Sequence, residues 1–223
     1  MKRILPAAAL ALALIGGGAL YFSQGNGPST TNFALPGAAQ AQSAEVDTSS
    51  ITEMVKGDAD APIEVIEYAS YTCPHCATAH ASLIPQLEEN YVDTGKIRFV
   101  YREVYFDKFG VWASLIARCG GEEKFFGITD LIYKGQSEWA RAGSDSAIVD
   151  ELRKIGRLAG MESDQIESCL NDSDKIATLV AWFQANAAEH GINSTPSFVI
   201  DGTTYSNMSY ADFSAILDEK LGE

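Results

Sequence analysis

β-Branched and aromatic residues dominate Ile63-Glu64-Val65-Ile66-Glu67-Tyr68. Two-residue alternation puts Ile63, Val65, Glu67 and Ala69 on one face, with Glu64, Ile66 and Tyr68 on the other, which predicts a strand. From Ala77 to Tyr91 the apolar residues recur at helical spacing instead, with Pro85 expected to bend the helix. A second strand is predicted over Ile97–Val104, after Gly95. From Lys108 to His190 the period is helical throughout, broken at Gly120-Gly121, from Gly135 to Ser137, at Gly143-Ser144, at Gly160 and at Asn171-Asp172. Asp201-Gly202 then separates two apolar-rich runs, Ile192–Ile200 and Thr203–Tyr205, and predicts a hairpin. An amphipathic helix over Tyr210–Leu221 closes the chain.

The first fifty residues read differently. Lys2-Arg3 precedes an apolar run from Ile4 to Phe22, the pattern of an export signal over 1–22. Ala39-Gln40-Ala41 offers a cleavage site, yet the apolar run is nearly long enough to span a bilayer, so cleavage and an uncleaved anchor are both open. The expected location is the periplasm, soluble or tethered to the inner membrane. Residues 23–50 are rich in Gly, Pro, Ser, Thr, Ala and Gln, the composition of a flexible linker. They carry no heptad, which points to a monomer. The 223 residues have a net charge of −14, and beyond position 41 the 30 acidic residues face 14 basic ones. That balance argues against nucleic acid and anionic lipid as partners of the folded part.

Reactive chemistry concentrates at Tyr71-Thr72-Cys73-Pro74-His75-Cys76, between the first strand and the first long helix. Pro74 suits the first helical position, where its missing N–H is one of the unpaired donors in any case, so Cys73 falls at the helix N-terminus. Free N–H groups and the positive end of the helix dipole stabilise a thiolate there. His75 can add a donor or a positive charge. Cys76, one helical turn further in, is expected to be more buried and to resolve a mixed disulfide formed at Cys73. A zinc site would need a second pair of ligands at similar spacing, so no metal is expected. Haem attachment would need His directly after the second cysteine, where this chain has Ala77.

Several residues keep two readings on sequence alone. Glu67 is either a partly exposed edge residue or a semi-buried acid near Cys76 that shuttles its proton. His80, four residues past Cys76, is either its neighbour on the helix or a solvated or packing residue. Cys119 and Cys169, fifty positions apart, are a structural disulfide, free buried thiols or a second redox pair. Pro196 is an edge proline or a cis proline exposing the preceding backbone to an extended peptide. Trp112, Trp139 and Trp182 are expected to fill the core of the helical stretch.

Strand, CPHC helix, strand, long helical stretch, Thr-Pro hairpin and terminal helix together resemble the DsbA-like branch of the thioredoxin superfamily, a family of exported thiol:disulfide oxidoreductases. The resemblance implies an α/β thioredoxin-like fold split between residues 51–107 and 191–223, with a helical insertion over 108–190. It implies Cys73 as the attacking and Cys76 as the resolving cysteine. Pro196 becomes a cis proline facing them, with Thr195 offering backbone to substrate, and Glu67 becomes a buried acid beneath the site. Cys119 and Cys169 look like the extra structural disulfide of some alphaproteobacterial members. No cofactor is implied. The implied partners are unfolded or reduced exported proteins and a membrane quinone-linked protein that reoxidises the pair. Thr195 departs from the prototype oxidase, which has Val there, and matches family isomerases. No lysine matches Glu67 on the second strand, where Arg98 and Arg102 are the candidates. Oxidase is the first reading. An isomerase or reductase of the same fold and a peptide-binding chaperone are its rivals.

Overall fold

A computed structural model describes residues 46–223 of the chain. The predicted export signal, the Ala39-Gln40-Ala41 site and the linker up to residue 45 lie outside the described residues.

The first predicted strand forms as β2 (Ile63–Ala69) and the second as β3 (Ile97–Glu103). They pair in parallel, in register from Ile63 opposite Ile97 to Ala69 opposite Glu103. The hairpin forms as β4 (Ser197–Ile200) and β5 (Thr203–Ser206). Its two-residue turn has Asp201 at φ 46° and Gly202 at φ 77°, the left-handed pair that matches the twist of a tight hairpin. β4 pairs antiparallel with β2, and a three-residue strand β1 (Met54–Lys56) pairs antiparallel with β3. The sheet order among the described residues is β1-β3-β2-β4-β5, so β2 sits in the centre. β1 was not predicted, because three residues are too few to show a period.

The centre of the sheet is buried on both faces, and the predicted alternation holds along β2. Ile63, Val65 and Ala69 join a core with Leu83 and Leu87 of α1 (Pro74–Leu87) and with Phe213 and Leu217 of α8 (Tyr210–Leu221). Ile66 and Tyr68 face the opposite way, with Val100, Val199 and Phe183. Glu67 is fully buried, so the edge reading is overturned: β2 is central, with neighbours on both sides. Pro85 lies inside α1, and a π-helical turn, Glu88–Val92, begins three residues later.

Between β3 and β4 the chain is helical, as predicted. The elements are α2 (Lys108–Cys119), α3 (Glu122–Lys134), α4 (Gln136–Trp139), α5 (Asp145–Leu158), α6 (Ser163–Leu170) and α7 (Ser173–Glu189). Four of the predicted breaks fall between two of them, with Ser144 capping α5 and Asp172 capping α7 through their side chains, whereas of the break from Gly135 to Ser137 only Gly135 lies between helices and Gln136 and Ser137 open α4. α7 returns across the second face of the sheet, where Phe183 packs. Arg118 of α2 forks onto Glu103 at the end of β3, with both N–O distances 2.7 Å and both side chains buried, tying insertion to sheet. Trp139 is buried in the insertion's core, and Trp182 packs with Leu115, Leu179 and Ile51, whereas Trp112 is only partly buried.

Candidate active site

The chain leaves the buried end of β2 and turns through Ser70-Tyr71-Thr72 into α1. Cys73 is the N-cap, with extended backbone (φ −85°, ψ 118°) of the kind favoured before proline, and Pro74 takes the first helical position. The turn is held from outside the thioredoxin-like elements. Gln136 of α4 donates from Nε2 to the carbonyls of Tyr71 (2.8 Å) and Cys73 (2.9 Å). The Thr72 hydroxyl donates to Asp107 (2.9 Å), whose other oxygen caps α2 through the N–H groups of Phe109 and Gly110. Sequence reasoning missed Gln136. Its only signal was its place at the break between α3 and α4.

Cys73 and Cys76 are unbonded and unequal. The half-buried Cys73 thiol is brought down to about 5, first by the hydrogen bond from Cys76, then by Thr195 and by the backbone N–H groups of Cys76 and His75, with partial burial opposing. Cys76 is fully buried, and burial above all pushes its thiol far up, helped by its bond to Cys73 and by the charge of Glu67. The arrangement joins a ready nucleophile to a reluctant one.

Thr195 and Pro196 arrive from the far side of the fold, joined by a cis peptide bond. The Thr195 carbonyl lies 3.4 Å from Cys73 Sγ. Its hydroxyl is buried with no partner of full hydrogen-bond geometry, yet it stands close enough to both sulfurs to favour each thiolate. Pro74 and His75 are exposed beside the cysteines. Clefts flank the turn: one of about 190 Å³ is lined by His75, Thr78, Met208 and Tyr210, and one of about 350 Å³ by Thr72, Pro74, Phe109, Gln136 and Arg141.

Beneath the cysteines, Glu67 meets His80 at 3.0 Å between Oε2 and Nε2. Neither arginine expected to face it does so: Arg98 pairs with Glu64, and Arg102 with Glu53 and the Tyr68 hydroxyl. Both point away because positions 98 and 102 lie opposite Glu64 and Tyr68, on the face that Glu67 does not share. Of the two roles read for His80, packing holds and solvation does not, since its side chain is nearly buried and stacks on Tyr133 with ring centroids 4.2 Å apart. Away from this site, Cys119 and Cys169 form a disulfide joining the ends of α2 and α6, so the reading as free thiols falls.

A mixed sheet with a dithiol at the start of its first long helix, and a cis proline loop against the sulfurs, defines a thiol:disulfide oxidoreductase of thioredoxin fold. Comparison with known proteins agrees: residues 49–219 match the family described as Thioredoxin, and the chain belongs to it. A Rickettsia bellii protein named as a protein-disulfide oxidoreductase is 35% identical over 189 residues, covering 82% of this chain and 72% of that one. A Rickettsia prowazekii protein of the same designation is 36% identical over 173 residues, 77% of this chain and 62% of its own length. Among solved structures, Wolbachia pipientis alpha-DsbA1 superposes with a TM-score of 0.71 at 26% identity, covering 77% of this chain and 92% of that one. The fold is DsbA-like, and thiol–disulfide exchange is the activity.

Proposed function

We propose that the protein is an exported oxidase that introduces disulfides into reduced client proteins. The observation that carries this reading is the inequality of the two thiols. A thiolate held down to about 5 at Cys73 stabilises the reduced pair relative to its disulfide, and a disulfide whose reduced form is favoured is a strong oxidant. In the oxidised enzyme a client thiolate attacks Cys73 Sγ, and the electron pair of the broken bond leaves on Cys76, which takes up a proton. A second client thiolate then attacks the client sulfur of the mixed disulfide and expels Cys73 as a thiolate. The client loses two electrons, and the enzyme gains them.

In this reading Thr195 and Pro196 hold the client backbone against Cys73, His75 and Pro74 shape the exposed edge, and Glu67 serves the proton of Cys76. A membrane quinone-linked partner takes the electrons onward. The protein works as a monomer in the periplasm and needs no cofactor of its own. The Cys119–Cys169 bridge is structural. The isomerase alternative rests on the identity of Thr195, which family isomerases share at the position before the cis proline and the prototype oxidase does not.

The test is the reduction potential of the pair against glutathione. An oxidase should lie at about −120 to −180 mV, whereas about −270 mV would mark a reductase and reject the proposal.

A further inference from the structure

Glu67 and His80 form a pair sealed beneath the reactive turn. Glu67 is fully buried on the central strand, and the His80 side chain is 6% exposed. The second carboxylate oxygen, Glu67 Oε1, is buried with no hydrogen-bond partner among the described residues. Such an atom lowers stability, so its retention calls for a purpose other than stability. Cys76 lies on the same helix, one turn before His80, and the charge of Glu67 bears on its thiol. On the opposite side, His80 lines a cleft of about 540 Å³ between α1 and α3, walled by Ala77, Ala81 and Tyr133. One pair thus lies between a buried sulfur that must gain and lose a proton and a route to solvent.

We propose that His80 passes protons between this cleft and Glu67, and through Glu67 to Cys76. When the Cys73–Cys76 bond breaks, its electron pair goes to Cys76. A proton passes from His80 Nε2 to the Glu67 carboxylate, from the carboxyl so formed to that sulfur, and from solvent in the cleft to His80 Nδ1. When the disulfide re-forms, Cys76 loses its proton along the same path and the imidazole returns to its first tautomer. His80 therefore acts through Glu67, as a positioning and relay residue.

The other groups around His80 do not compete. Tyr133 stacks on the ring and Tyr101 meets it edge-on at 5.7 Å; burial pushes both phenols well above their ordinary range, so they stay neutral. At the cleft, Lys134 faces Asp130 at 4.0 Å, and Glu88 is held by Lys56. The inference rests on exchange at Cys73 and Cys76 and holds for either direction of electron flow.

The test follows the mixed disulfide formed when the reduced full chain reacts with oxidised glutathione, trapped by acid and read by mass spectrometry. In His80→Phe, which keeps a ring against Tyr133, its lifetime should lengthen about a hundredfold, the lower range of proton-transfer effects. The alkylation rate of Cys73 should stay unchanged. In His80→Ala, added imidazole should shorten the lifetime again by entering the enlarged cleft, and this rescue decides the matter alone if His80→Phe does not fold. A folded His80→Phe protein that resolves the mixed disulfide at the unaltered rate would overturn the inference. So would a slow His80→Ala protein that imidazole leaves slow.

Discussion

Cys73 Sγ lies 3.4 Å from the carbonyl oxygen of Thr195, a residue 122 positions further along the chain. The contact brings the hairpin loop against the start of α1 and sets the Thr195 hydroxyl beside both sulfurs. In Thr195→Val that hydroxyl is lost while the shape is kept. The midpoint of Cys73 ionisation should rise by about one pH unit, the worth of one weak charge-assisted hydrogen bond. The pH profile of Cys73 alkylation reads this directly, and an unmoved midpoint would show that the hydroxyl does not act on the thiolate.

Gln136 holds two carbonyls of the reactive turn from the insertion. Gln136→Leu should leave the Tyr71 carbonyl without its donor, whereas the Cys73 carbonyl keeps the N–H groups of Cys76 and Ala77, and should lower the unfolding free energy by about 1–3 kcal/mol. Exchange turnover should fall as well, because Cys73 is one of the two residues released. Denaturant unfolding and a disulfide-exchange assay on the same preparation check the two effects together.

The disulfide between Cys119 and Cys169 closes a loop of fifty positions, for which chain entropy gives about 4 kcal/mol as an upper figure. Replacing both cysteines by Ala should lower stability by about 2–4 kcal/mol and leave the potential of the Cys73–Cys76 pair unchanged. A shifted potential would mean that the bridge is redox-coupled to the site.

Ionisation of Cys73 also links stability to pH. Its thiol falls from an ordinary value of 9.0 to about 5 in the folded reduced protein. A depressed value contributes stability that is complete above the unfolded value and lost as pH falls through the folded one. The oxidised protein has no such thiol. The stability of the reduced form relative to the oxidised form should therefore rise with pH between about 5 and 9. Paired unfolding curves of the two forms at several pH values in that window measure the difference, and a flat or falling trend would contradict the assignment.

Much of this was legible in the sequence because the governing signals are local. The alternation along β2, the Asp201-Gly202 turn and the breaks between helices each depend on a few adjacent residues. The CPHC turn was legible for the same reason: Pro74 fixes where the helix begins. What was not legible depends on tertiary registry. β1 exists only through pairing with β3. Gln136 reaches the turn only because the insertion folds back onto it, across more than sixty positions. For Glu67 the cation expected on β3 is absent, and its partner is His80, in the helical layer on α1. Sequence distance within α1 placed His80 near Cys76 but carried no information about which strand residue it would meet.

The central claim is that the helix start and its neighbours keep Cys73 ionised while burial keeps Cys76 protonated. The most direct measurement is the thiolate absorbance of the reduced protein as a function of pH, with the Cys76→Ser variant as a control that isolates one sulfur. Cys73 should ionise with a midpoint near 5 in the unaltered protein, and higher once the hydrogen bond from Cys76 is weakened. A midpoint near the ordinary 9.0 in the unaltered protein would contradict the account.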